Sequence, residues 1–346
     1  MRATSLAIFA ILGIFIAGCG SGNSGDTNST TSTSATGGSA NSTGGDIQIA
    51  VIPKGSTHDY WKHVHQGANE AAKELGVTIN FQGPEKEDDK ESQIRMIETM
   101  ISKGVKGIVL APLDDQALAE PVANAKKAGI PVVIIDSGLS GSDYISMVST
   151  DNEKGGHMAG QEMIRLLGDK GGKIAVLRYA AGSASTDARE KGFIDEIKSN
   201  GKNIQIVSMD QFAGPTRETA AKASENLLAA YRKPDGTLGL DGIYCPNESS
   251  TAGMLKTLEN NNWAGKVKFV GFDAAPDLID ALNKGEIDAL VVQNPEKMGH
   301  DGVKVLVDYI KGNKDVPKME DTGATLVTKA NVNSPEVAKL VEPAKE

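Results

Sequence analysis

The chain has 346 residues, 39% of them hydrophobic, with 36 basic against 45 acidic side chains and a formal charge of −9. That acidic balance excludes a nonspecific nucleic-acid binder, which needs a basic footprint, and 4% aromatic content excludes broad stacking platforms for single strands. Two Cys exclude a disulfide framework and a Cys-rich metal site, and the length suits two domains of roughly 150 residues once a processed tail is removed.

The first element is an apolar run over residues 6–17, preceded by Arg2. About a dozen apolar residues fall short of the roughly 20 that span a bilayer, and suit the core of a secretory signal. The run ends in Ile16-Ala17-Gly18-Cys19, which resembles a bacterial lipobox. Residues 1–18 are therefore expected to be a lipoprotein signal peptide, with Cys19 as the lipid attachment point. Residues 19–45 are the lipidated Cys and a Gly/Ser/Thr tether with no large apolar side chain to bury. A literal G-x-G-x-x-G at Gly20 to Gly25 has no strand before it and no helix after it, so it fails as a dinucleotide motif.

From residue 46 the pattern alternates. Short Ile- and Val-rich runs predict strands over 47–53, 77–82, 107–111, 131–136, 145–150, 173–179, 204–209, 242–245, 268–272 and 289–293. Amphipathic segments between them predict helices over 60–75, 92–102, 118–128, 156–167, 188–199, 216–231, 252–260, 276–283 and 295–310, the first three closed by Gly76, Gly104 and Gly129. Near-continuous apolar strands alternating with helices predict an α/β fold with parallel, doubly wound sheets. Ten strands exceed one comfortable sheet, so two lobes are expected.

In such sheets, ligands bind beyond the carboxyl ends of the strands. The residues at those ends are polar or aromatic: His58, Tyr60 and Trp61 after the first strand, then Asp136, Ser183, Ser185 and Arg189, Phe212, Asn247, Asp273 and Gln293. Carboxylate, amide and guanidinium groups can each bind two neighbouring hydroxyls, and aromatic faces suit the C–H faces of a sugar ring. No large positive cluster stands there, which argues against a phosphate ligand.

These segments carry a resemblance. Asp59-Tyr60-Trp61, Gly129-Ile130-Pro131-Val132-Val133 running into Asp136, Ser149-Thr150-Asp151-Asn152, Ala188-Arg189-Glu190-Lys191-Gly192-Phe193, Asn247-Glu248, Val270-Gly271-Phe272-Asp273 and Gln293-Asn294-Pro295 are similar, in order and spacing, to the periplasmic sugar-binding proteins of the ribose/galactose-binding family. The resemblance implies two doubly wound parallel-sheet lobes joined by a three-strand hinge, the type I periplasmic binding protein architecture. It implies an N-terminal lobe of 46–150 plus 294–322, a C-terminal lobe of 151–293 plus 323–346, and crossings near 150–151, 293–294 and 321–323. It implies a ligand site in which Asp136, Arg189, Asn247, Asp273 and Gln293 hydrogen-bond a monosaccharide or related polyol. Trp61, Phe212 and Tyr60 would stack on its ring, and His58 and Ser185 would reach it. Ser137 departs from the family, since ribose binders place Arg there. The partners implied are the sugar, an ABC import permease and a membrane met only through the lipid, with the protein itself a monomer. A sugar-sensing receptor on the same fold is the alternative.

Other readings of the same residues are weaker. Asp136, Asn247 and Asp273 stand where helix caps also stand, and Trp61 and Phe212 could serve as core residues. His63 and His65 point to different helix faces and do not chelate one ion, so no metal site is expected. The mixed-charge run from Glu85 to Glu91 reads as an exposed helix start. Cys245 reads as a buried strand thiol without a catalytic partner. No Walker A, zinc or G-x-S-x-G motif is present, so neither enzyme activity nor a cofactor is expected. A sugar-responsive repressor would need a basic helix-turn-helix where the signal segment stands.

Overall fold

The apolar runs fold as two six-stranded sheets. The structure, a computed structural model, describes residues 47–344. The signal segment, Cys19 and the tether lie outside the described residues. The strands are β1 (Gln48–Ile52), β2 (Thr78–Phe81), β3 (Gly107–Leu110), β4 (Val132–Ile135), β5 (Ser146–Ser149), β6 (Gly172–Val176), β7 (Ile204–Ser208), β8 (Gly242–Tyr244), β9 (Lys268–Phe272), β10 (Ala289–Gln293), β11 (Met319–Asp321) and β12 (Ala324–Thr328). The first sheet runs β11-β5-β4-β3-β1-β2 and the second β12-β10-β9-β8-β6-β7. Each strand of the first sheet therefore has a counterpart in the second, β4 matching β9. Every pairing is parallel except that of β12 with β10.

The helices are α1 (Asp59–Leu75), α2 (Lys90–Ser102), α3 (Ala119–Lys127), α4 (Asn152–Leu167), α5 (Ala184–Asn200), α6 (Arg217–Ala229), α7 (Glu248–Asn260), α8 (Pro276–Lys284), α9 (Pro295–Ile310) and α10 (Pro335–Leu340). On the first sheet, α1 and α9 cover one face through Val64, Ala68, Met298 and Leu306, and α2 and α3 the other through Ile97, Met100 and Val122. On the second, α4 and α5 pack Met163, Phe193 and Ile197, while α6, α7 and α8 pack Leu227, Leu255, Leu258 and Leu278. With both faces covered, the strands have no polar side to show, which explains their unbroken apolar runs. The chain passes between the sheets after β5, after β10 and between β11 and β12.

Three helices begin about a turn earlier than apolar spacing predicts. α4, α5 and α7 start at Asn152, Ala184 and Glu248 rather than at 156, 188 and 252. Their opening turns hold Asn152, Ser185, Thr186, Glu248, Ser249 and Ser250, all buried although polar. β11, β12 and α10 lack a sequence signature because they are short and mostly half-exposed or exposed.

Glycines set how closely the paired helices approach. A Cβ on Gly299 of α9 would lie 2.0 Å from the Val64 carbonyl of α1, and one on Gly192 of α5 would lie 2.1 Å from the Glu153 carbonyl of α4. The neighbouring atom is backbone in both cases and cannot swing aside. Gly299→Ala is therefore expected to lower stability by about 1–3 kcal/mol through overpacking. Urea denaturation measures this, with Gly104→Ala as a control of a different kind, because Gly104 has open space around it but a φ of +68°.

Candidate functional site

The carboxyl ends of both sheets meet around one narrow space. His58, Tyr60, Trp61, Asp136, Ser185, Arg189, Asn247, Asp273 and Gln293 all line it. Phe212 does not. It follows β7, the edge strand of its sheet, and its ring is 42% exposed beneath the Arg178 guanidinium, 4.6 Å from the ring centre.

Asp136 and Asp273 follow the counterpart strands β4 and β9, and both adopt left-handed backbone, with φ of 62° and 70°. This region is sparsely populated by residues other than Gly, though Asp and Asn tolerate it best. Asp136 accepts the Tyr60 hydroxyl at 3.0 Å and pairs with Lys54 Nζ at 2.9 Å. Asp273 accepts the backbone N–H of Glu248 at 2.9 Å and the Gln293 amide at 2.8 Å. Burial pushes the Asp273 carboxyl up to about 6, against the opposing pull of Arg189 and the Gln293 hydrogen bond.

Arg189 donates from Nε to Asn152 at 2.8 Å and from Nη1 to the Pro246 carbonyl at 3.0 Å, with its guanidinium 4.0 Å over the Phe272 ring. Its Nη2, although buried, has no partner. The same holds for Nε2 of His58, whose Nδ1 meets Glu87 Oε1 at 2.7 Å. Buried polar atoms are nearly always hydrogen-bonded, so these two are positions that a ligand can satisfy. Asn247 divides its capacity: Oδ1 caps α7 by accepting the Ser250 N–H at 3.3 Å, while Nδ2 donates to Ser249 at 3.2 Å. Trp61 meets the edge of Tyr60 at 4.9 Å and donates its indole N–H to Glu87 at 2.5 Å.

Five lining residues were not singled out from sequence: Lys54, Glu87, Tyr179, Thr186 and Glu248. Lys54 stands immediately past β1, a position that the strand-end rule marks. It reaches Ser183 at 3.3 Å and Ser185 at 3.0 Å on the other lobe. Ser137 also crosses, accepting the Ser185 N–H at 3.0 Å. Glu87 corrects the expectation of an exposed helix start: it lies in the charged run yet is buried, and Tyr179 of the other lobe donates to its Oε2 at 2.7 Å. Glu248 accepts the N–H groups of Tyr60 at 3.0 Å and Asp59 at 3.3 Å and pairs with Arg217 at 2.9 Å. His58, at the N-cap of α1, makes no side-chain cap, so Glu248 caps that helix from the opposite lobe. His65 stacks on Phe81 at 4.1 Å, and Cys245 is a buried free thiol that burial pushes up.

The His58–Glu87 pair makes stability depend on pH. Burial lowers the His58 pKa, but the charge and hydrogen bond of Glu87 outweigh it and raise it from 6.5 to about 9. Above 6.5 the native state thus holds a proton that the unfolded chain releases. The contribution of His58 is complete below 6.5 and lost as pH rises through about 9. Glu87, raised by burial but lowered further by His58 to about 2, contributes fully above 4.5 and loses its contribution as pH falls through about 2. The stability advantage of wild type over His58→Gln is therefore expected to shrink as pH climbs from 6.5 to about 9, read by denaturant titrations at each pH.

Comparison with known proteins gives the family and the fold. The sequence pattern defining the family described as "Periplasmic binding protein domain" matches residues 49–314. The D-allose-binding periplasmic protein of Escherichia coli (strain K12) is 32% identical over 277 residues, covering 78% of this chain and 86% of that protein. A solute-binding protein of an Agrobacterium vitis ABC transporter, solved with bound D-fucose, is 37% identical with a TM-score of 0.79, covering 85% of this chain and 100% of that one. A carbohydrate-transporter solute-binding protein from Agrobacterium radiobacter, in complex with D-arabinose, is 32% identical with a TM-score of 0.81, over 86% of this chain and 99% of that one.

Proposed function

This chain belongs to the periplasmic binding protein family, and we propose that it captures a monosaccharide between its lobes and delivers it to a sugar-importing ABC permease. It is a binding protein of the cell envelope, not an enzyme. The observation that carries the reading is the convergence of Asp136, Arg189, Asn247, Asp273, Gln293 and His58 on one buried space from two sheets. Its carboxylates are met within the protein by Lys54, Arg189, His58 and Arg217. A ligand therefore needs to bring no compensating charge, which suits a neutral polyhydroxyl compound. The orphan atoms of Arg189 and His58 suit sugar oxygens, and Tyr60 and Trp61 supply apolar surface for a ring. The sugars held by the relatives, D-allose, D-fucose and D-arabinose, support a pentose or hexose.

In this reading the lobes, 46–150 with 294–322 and 151–293 with 323–346, close over the sugar about the three crossings. The sugar drives closure because it contacts both lobes at once. The protein works as a monomer tethered through lipid on Cys19. The apolar run 6–17 ahead of Ile16-Ala17-Gly18-Cys19 supports the anchor. Labelled palmitate supplied to expressing cells is expected to enter the protein, and Cys19→Ala to abolish the label.

A thermal-shift panel of monosaccharides and polyols identifies the ligand, since a compound that binds only the native state raises its melting temperature. With that ligand, Arg189→Ala and Asp273→Ala are each expected to weaken binding by about 10- to 100-fold, from loss of bonds to charged groups of about 1.5–3 kcal/mol. Calorimetry giving wild-type affinity for both variants overturns the site, and mass analysis showing chemical conversion of the sugar overturns the function.

A further inference from the structure

The carboxylate of Glu87 gathers three donors from two places in the chain. Oε1 receives His58 Nδ1 at 2.7 Å and Trp61 Nε1 at 2.5 Å, and Oε2 receives the Tyr179 hydroxyl at 2.7 Å. His58 and Trp61 belong to the lobe of Glu87, and Tyr179 to the other. The acid is locked from behind as well: a Cβ on Gly55 would lie 2.8 Å from its Cγ, so only Gly leaves room for it there. With Nδ1 engaged, Nε2 is the one ring nitrogen of His58 without a partner in a side chain that lines the cleft.

We propose that Glu87 is a positioning residue for sugar binding: it holds the His58 ring as a hydrogen-bond donor to the ligand and ties that ring to the opposite lobe through Tyr179. The inference rests on the reading of this cleft as the sugar site. An imidazole bonded at Nδ1 presents either N–H or a lone pair at Nε2, according to its protonation. The negative charge of Glu87 selects the imidazolium, and Glu248 at the start of α7 and Asp273 after β9 add to it, against the effect of burial. The charge of Lys54, past β1, also lowers the Glu87 pKa and helps hold it ionised. The His58 pKa of about 9 then keeps Nε2–H a donor through neutral pH. Sugar contact and lobe closure are thereby joined at one carboxylate, because the acid that orients His58 is also the acceptor for Tyr179.

The test is Glu87→Gln, which keeps size and an acceptor for both His58 and Trp61 but removes the charge. Calorimetry on the full chain, with D-allose, D-fucose and D-arabinose as probes, gives affinity against pH. Wild type is expected to vary only where Asp273 titrates, near pH 6, a contribution that Glu87→Gln shares, and to be flat above that to about pH 8. Glu87→Gln is expected to bind like wild type at the acid end and to weaken about tenfold or more across that range, as His58 loses its proton and Nε2 becomes an acceptor. Adding His58→Asn, whose amide donates at every pH, is expected to flatten the profile again. Parallel profiles for wild type and Glu87→Gln overturn the proposal. Nitrogen NMR of His58 in the wild-type protein needs no variant to fold: an imidazolium at pH 8 supports the proposal, and a neutral ring there overturns it. His58→Ala separates the two levels. Unchanged affinity overturns the cleft assignment together with the role of Glu87, whereas weakened affinity alongside parallel profiles overturns the role of Glu87 alone.

Discussion

Charges facing a cleft between two lobes lose their water when the lobes meet, and each must then find a partner or shift its protonation. The capping of α1 by Glu248 is the central instance. The first N–H groups of α1 have no partner in their own helix, and the side chain at the N-cap supplies none. Glu248 reaches over from the start of α7 and accepts two of them while paired with Arg217. A helix end and a carboxylate that would each be hydrated alone complete one another only when the lobes are together. Lys54 with Ser183 and Ser185, and Glu87 with Tyr179, repeat the arrangement, so the two lobes meet through fixed polar partners at several points.

Most of the fold was legible because both sheets are covered on both faces. Apolar runs marked ten of the twelve strands, and αL glycines such as Gly76, at φ 67°, marked helix ends. The helix starts were misplaced at the site itself. α4, α5 and α7 open on polar turns that face the cleft or pack beneath it, and hydrophobic periodicity cannot detect a turn that is polar because it works. The strand-end rule brought Asp136, Arg189, Asn247, Asp273 and Gln293 together. It also marked Phe212, since position along the chain does not tell that β7 is an edge strand. Glu87 escaped because a charged run looks solvated from its composition. Only the fold reveals that one of its carboxylates turns inward onto His58 and Trp61.

Asp136 and Asp273 show how the two halves share a plan. Each follows a counterpart strand, each is left-handed, and each carboxylate is tied down by neighbours, Tyr60 and Lys54 in one case and Gln293 and a backbone N–H in the other. Left-handed backbone outside Gly is a modest strain that packing must over-determine, and it is typical of sites where a side chain is held in readiness. The two carboxylates differ in what touches them: an ammonium beside Asp136, but an amide and a backbone N–H beside Asp273, whose pKa burial raises against the pull of Arg189.

The three passages between the sheets also govern how the molecule is made. The first sheet is nearly complete by Ser149, yet one of its faces is covered partly by α9, with Met298, Val303 and Leu306 arriving after the whole of the second sheet's first five strands. Its last strand, β11, comes later still. During synthesis that face of the leading half is covered only in part, by α1, until residue 310 is available, so the first sheet cannot complete its core as an early fragment. A chain held back from folding until it is whole is also a chain that can still be threaded unfolded through a membrane pore.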